Sequence, residues 1–232
     1  MRATGFSELV IFVAPRFIMI IKQHQLTTAV KPYLMIIMKP RKSPSGGRPR
    51  EFDRDAALET AMRLFWRHGY EGVSFQHLTA AMGLAAPSLY AAFGNKRALY
   101  LEAVDRYGRL RGATDLSFMD PYETVDEAVL AFLNATAHGL SDPSTEAGCM
   151  LNMGMLTSHP DHAEIAAELS DRRTAFTALL AQKLQRWLDQ EAAADKAVYL
   201  SAVIQGMAVQ AHDGAGRERL EMLAKLAVRA IR

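Results

Sequence analysis

The chain has 232 residues, half of them hydrophobic, with a formal net charge of +2. That composition supplies a sizeable core and excludes a globally disordered chain. A single cysteine, Cys149, excludes an internal disulfide framework and fits a reducing, cytoplasmic compartment.

The charge is spread unevenly. Residues 1–50 carry nine Lys/Arg and one acid, Glu8, whereas the rest carries eighteen basic residues against twenty-four acidic ones. Net charge therefore makes no case for nucleic acid, but local arrangement does. Lys39, Arg41, Lys42, Arg48 and Arg50 stand among Pro, Ser and Gly with no intervening acid, a flexible basic arm suited to phosphates or a minor groove. Ahead of it, residues 1–38 hold apolar bursts cut by Arg16, Lys22 and Lys31. No burst reaches the roughly 18–20 residues of a membrane span. Glu8 and the lack of a small-residue cleavage site argue against a signal peptide. No helical or strand periodicity joins residues 1–38 to the next domain. The stretch reads as an over-extended start with Met38 as the natural beginning, the other reading being an extra strand or amphipathic anchor.

Four short helices are expected next. Asp53 caps the first, and Leu58, Ala61, Met62 and Phe65 give it one apolar stripe that ends at Gly69. Ser74 caps the second, with Val73 and Leu78 placed as a hydrophobic staple and Gly83 as the stop. After the turn Gly83-Leu84-Ala85, a third helix runs from about Ala86 to Phe93, and Leu89 and Phe93 anchor it inward. Its outer side is Ala86, Pro87, Ser88, Tyr90, Ala91 and Ala92, slim enough for a major groove about 12 Å wide. Ala85 has no side-chain acceptor to cap this helix; Pro87, which needs no amide partner in a first turn, compensates in part. The fourth helix starts near Asn95, with Lys96 and Arg97 directly after it. Cations there oppose the helix macrodipole, at a cost of a few tenths of a kcal/mol. Facing phosphates would explain that placement.

Ser74, Leu78-Thr79, Gly83-Leu84-Ala85, Leu89-Tyr90, Phe93, Lys96 and Leu99 together resemble the DNA-binding domain of the TetR family of transcriptional regulators. The chain departs from that pattern at Ala85, where a serine cap is usual, and at Ala92, where an aromatic is common. The resemblance implies an all-α fold: an N-terminal three-helix helix-turn-helix domain and a C-terminal helical domain for ligand binding and dimerisation. The expected divisions are 1–50 for the extension and arm, 51–97 for the reading head and 98–232 for the regulatory domain.

Beyond Pro121 the patterning is helical. Val125, Val129, Phe132, Leu133 and Thr136 mark one helix, and Cys149 to Ser158 a short Met-rich one. Asp161 to Glu191 reads as one long helix, Ala194-Asp195 opens another, and Arg217 to Ile231 is the last. Ala202, Gly206 and Ala208 are expected on an outer face of the last two helices, where small residues allow a two-fold pairing into a homodimer.

The expected DNA-binding residues are Arg48, Arg50, Ser74, Ala86, Pro87, Ser88, Tyr90, Ala91 and Lys96. Ser74, Tyr90 and Lys96 would meet phosphate, and the alanines, Pro87 and Ser88 would meet base edges. Phe132, His138, Cys149, Met150, Met153 and Phe176 are candidates for an adaptable effector pocket. Cys149 precedes a short helix, where a thiol gains thiolate character, so redox or electrophile sensing stands beside a buried structural role. His159, Asp161 and His162 are too few and too irregular for a metal site. The chain has no Gly-rich phosphate loop, Gly-x-Ser-x-Gly or paired Cys-x-x-Cys, so a thiol enzyme has no motif behind it. The resulting expectation is a dimeric, ligand-released repressor of double-stranded operator DNA with an unknown small-molecule effector, no cofactor, no metal and no membrane partner.

Overall fold

The computed structural model describes residues 9–14 and 17–22 as backbone, together with residues 53–111 and 116–231. The chain forms two units, Met1–Glu51 and Phe52–Arg232.

In the first unit, β1 (Leu9–Ala14) and β2 (Phe17–Lys22) form an antiparallel hairpin, with Leu9 opposite Lys22 and Ala14 opposite Phe17. Strands are thus present where the sequence shows no strand period. The runs LVIFVA and FIMIIK are rich in β-branched and aromatic residues but continuously apolar, so they lack the alternation that marks a half-buried strand.

The second unit is helical throughout its described residues. Helix α1 (Arg54–Gly72) is capped by the Asp53 carboxylate, which accepts from the amides of Asp55 and Ala56. Gly69, at φ 70°, breaks its helical geometry one turn early. Helix α2 (Phe75–Met82) opens with a reciprocal cap: Ser74 Oγ accepts from the His77 amide at 3.0 Å, and His77 Nδ1 faces the Ser74 amide at 3.4 Å. Gly83 closes it in the left-handed conformation, φ 65°. Helix α3 (Ala86–Phe93) has no side-chain cap, and Pro87 stands in its first turn. Asn95 Oδ1 accepts from the Ala98 amide at 2.9 Å and so caps α4 (Lys96–Arg111).

These four helices share one core. Phe65, Tyr70 and Tyr100 meet ring to ring, and Leu78, Leu89 and Leu99 are fully buried beside them. Burial pushes the Tyr100 hydroxyl up to about 12. The core does not stop at the helix-turn-helix: Ala103, Val104 and Tyr107 of α4 belong to it, as do Met150, Ile165 and Leu169 from later segments.

The remaining helices build a second core. They are α5 (Val125–Leu140), the single turn α6 (Met150–Met153), α7 (Ala163–Leu184), α8 (Gln190–His212) and α9 (Arg217–Arg229). Thr124 and Glu127 form a capping box on α5. Two boundaries differ from the sequence reading. The Met-rich helix is one turn long, because Gly154 turns extended directly after it and Met155 then takes φ 55°. The long helix stops at Leu184, and α8 starts at Gln190, where Asp189 Oδ1 accepts from the Ala192 amide at 2.8 Å. The connecting turn has neither Gly nor Pro, so it carries no local punctuation.

Candidate nucleic-acid interface and effector cavity

Helix α3 presents what a groove-reading helix needs. Leu89 and Phe93 point into the core, while Ala86, Pro87, Ser88, Tyr90 and Ala91 are exposed. Tyr90 is 52% exposed, and its ring stacks on Phe75 at 4.1 Å and 17°. Phe75, which local patterning does not single out, therefore fixes the direction of the Tyr90 hydroxyl. Ser74 is exposed at the start of α2; its oxygen is used as a cap, which leaves the O–H free to donate.

The basic pair that opens α4 has partners of its own. Lys96 Nζ lies 4.2 Å from the Tyr70 ring centroid, and partial burial holds its pKa below the ordinary lysine value. Arg97 Nη1 is 3.2 Å from Glu164. The aromatic face and the carboxylate give both cations a local reason to sit against the macrodipole. Both remain at the rim of the head, Arg97 exposed and Lys96 half-buried. Arg48 and Arg50 lie outside the described residues.

A cavity of about 290 Å³ sits where α4, α5, α6 and α7 meet. It brings together Phe132, Cys149 and Phe176, three of the candidates from sequence. The other three lie elsewhere. His138 is exposed and reaches Glu221 of α9 at 3.2 Å. Met150 is buried in the core shared with the head, and Met153 packs against the core of the second domain. Because α6 is a single turn, Leu151 and Asn152 face the cavity and its two methionines do not. Tyr107 and Arg111 complete the wall from α4. They stand one helical turn apart on the helix expected to join the two domains, and the sequence carried only their i, i+4 spacing as a signal.

Cys149 sits on this wall as the N-cap of α6, its Sγ accepting from the Asn152 amide at 3.4 Å. The Tyr107 hydroxyl is hydrogen-bonded to it, and burial with that neighbour pushes the Tyr107 pKa well above its ordinary value. Among the described residues, no cluster of three or more His, Cys, Asp or Glu could hold a metal ion. His159 and Asp161 face each other at 3.3 Å, while the His162 ring meets Tyr70 edge-on. No helix among the described residues is long and apolar enough to cross a membrane.

Head and cavity are joined by specific contacts. The Trp66 indole of α1 meets the Tyr107 ring at 4.8 Å, with the Arg111 guanidinium over it at 4.8 Å. Arg67 forks onto Glu146 at 2.7 and 3.0 Å, and Glu71 accepts from the His159 amide at 2.7 Å. A shift of the cavity wall therefore bears directly on the first helix of the head.

On the far side, α8 and α9 leave an apolar face uncovered. Val198 is 63% exposed, and Val209, Met222 and Leu226 are each more than 40% exposed. Ala202 and Gly206 lie on the same exposed side, and a Cβ built on Gly206 would meet nothing within 4 Å. Ala208, expected outside, is fully buried. It lies two positions beyond Gly206, which on a helix is the opposite face.

Comparison with known proteins agrees with this architecture. A family model described as "Bacterial regulatory proteins, tetR family" matches residues 57–103. The chain is 36% identical to the HTH-type transcriptional repressor ComR of Escherichia coli (strain K12), over 80% of this chain and 91% of that protein. It is 28% identical to the repressor BdcR of the same organism, over 85% and 98%. Among solved structures, a cysteine mutant of the TetR family regulator CifR, complexed with 26-bp double-strand operator DNA, matches with a TM-score of 0.74 at 34% identity, over 79% of this chain and 99% of that one. The exposed reading helix, the helical second domain and these relatives lead to one conclusion: the chain belongs to the TetR family of bacterial transcriptional regulators.

Proposed function

We propose that this regulator is a homodimeric repressor that binds a two-fold symmetric operator through paired α3 helices and is released by a small molecule bound in the cavity. The observation that carries the DNA reading is α3 itself, buried along Leu89 and Phe93 and bare along Ala86, Ser88, Tyr90 and Ala91. The repressor names of ComR and BdcR and the operator complex of CifR support it. The residues divide into a head through 97 and a regulatory domain from 98, with α4 as the lever between them. The protein acts by binding, without a catalytic step, in the compartment that holds the chromosome.

The mechanism rests on linkage. A ligand that prefers the DNA-free spacing of the heads must weaken operator binding by the factor by which DNA weakens ligand binding. In the DNA complex, Ser74, Tyr90 and Lys96 meet phosphates, and Ala86, Pro87, Ser88 and Ala91 lie against base edges. With so few long polar groups on α3, specificity draws on thymine methyls and on DNA shape.

Lys96→Ala tests the phosphate role. Binding should weaken alike on all sequences, and the slope of log affinity against log salt should flatten by about one unit. Fluorescence anisotropy on operator and scrambled duplexes reads both; an unchanged slope removes Lys96 from the interface. Cys149 serves this reading as a cap and wall residue. Cys149→Ser, which keeps a cap acceptor, should retain operator binding and effector release. Loss of release in an operator-release titration would instead favour thiol sensing.

A further inference from the structure

The cavity is apolar over most of its wall, with Leu116, Phe118, Phe132 and Phe176 facing it. Among the described residues, the one cation on its wall is Arg111. The Arg111 Nη2 group is buried and has no hydrogen-bond partner among the described residues. Its other terminal nitrogen, Nη1, is 3.9 Å from Oδ2 of Asp142, whose Oδ1 accepts from the Ser144 amide at 2.9 Å and hydroxyl at 2.7 Å. The Trp66 indole N–H, on the ring beneath the guanidinium, is likewise buried without an acceptor among the described residues. Buried donors left unsatisfied are destabilising, and more so when charged. A guanidinium on a mostly apolar wall suits a carboxylate, because its planar donors match the two oxygens.

We propose that the effector is a small amphipathic carboxylic acid, its carboxylate on the Arg111 guanidinium and its hydrocarbon or aryl body against Phe132 and Phe176. This rests on the effector-cavity reading above. At about 290 Å³ the chamber lies at the lower limit of ligand pockets, which start near ~300 Å³, so the acid is small. The neutral amides fill the apolar part equally well but offer the guanidinium one uncharged acceptor in place of two charged ones. The same guanidinium covers Trp66 of the head, so an acceptor bound to it acts on a contact between chamber and α1.

The test titrates the full-length protein with hexanoate and phenylacetate, and with hexanamide and phenylacetamide, by calorimetry and tryptophan fluorescence. The acids should bind about tenfold or more tightly than their amides, the worth of one charge-assisted hydrogen bond. They should also change the Trp66 emission. Arg111→Met should collapse the acid-to-amide ratio towards one, and Arg111→Lys should restore part of it; a ratio is read even if either variant is less stable. Ala135→Trp, on the chamber wall, should abolish binding of all four probes. Acids and amides binding alike, both lost in Ala135→Trp, would overturn the carboxylate inference and leave the effector cavity standing. Acid binding that survives Ala135→Trp would place the site elsewhere and overturn both. Failure of both acids to bind up to their solubility limits would overturn the proposed ligand class.

Discussion

Gly206→Arg should yield a folded monomer that has lost its operator. Gly206 lies in mid-helix on the exposed side of α8, and a Cβ there meets no atom within 4 Å. Arginine is a better helix former than glycine by somewhat under 1 kcal/mol, so the protomer itself should fold at least as well. Across a two-fold interface the same substitution sets a long cation against the partner's apolar surface, twice, since an isologous contact repeats every change. The flanking Val198, Val209, Met222 and Leu226 are apolar and offer that charge nothing. Light scattering should report the monomer mass and circular dichroism an unchanged helix content. Operator affinity should fall by about 10²–10⁴-fold, the avidity lost when two reading heads act singly. A Gly206→Arg protein that remains dimeric would move the interface away from this face.

Leu89→Ala should be the most damaging single change in the head. Leu89 is fully buried, and with Phe93 it is one of the two buried side chains of an eight-residue helix, Ala92 packing beside them half-buried. Removing a buried leucine side chain costs about 2–5 kcal/mol through lost transfer energy and the cavity left behind. That is a large part of the ~5–15 kcal/mol by which whole domains are stable. A helix so short, with no side-chain cap, has little propensity of its own to fall back on. The melting temperature should drop, and operator binding should fail before the second domain unfolds, since the two cores are built from largely separate residues. Ala91→Ser on the outer side of the same helix should leave the melt unchanged. A Leu89→Ala protein with wild-type melting and operator affinity would show that α3 is not held by this anchor.

The head is almost wholly legible in the sequence. Asp53, Ser74, Gly83 and Asn95 act through their own backbone neighbours, so their capping and stopping roles can be read one turn at a time. Leu78, Leu89 and Phe93 can be placed inside because helical spacing leaves them no other side. Phe75 escapes such a reading because its role depends on Tyr90, fifteen positions away on another helix. The cavity is half legible. Phe132 and Phe176 stand out as large apolar groups on predicted helices, but Tyr107 and Arg111 belong to α4, which reads as the connection between the domains and not as a cavity wall. His138 and the two methionines are drawn in by residue type alone. Their true places are decided by the rotation of α5 and by the one-turn length of α6.

By itself the chain determined its family, its helical class and the capping of the helices in its head, because these rest on local periodicity, caps and glycine stops. Tertiary structure alone decided which side chains share the cavity, that Arg111 stands between it and Trp66, and that Ala208 is buried while Gly206 is open. The physical reason is distance along the chain. Local signals act within one helical turn, whereas cavities and interfaces are set by the angles at which separate helices pack, and no single turn of sequence encodes those angles.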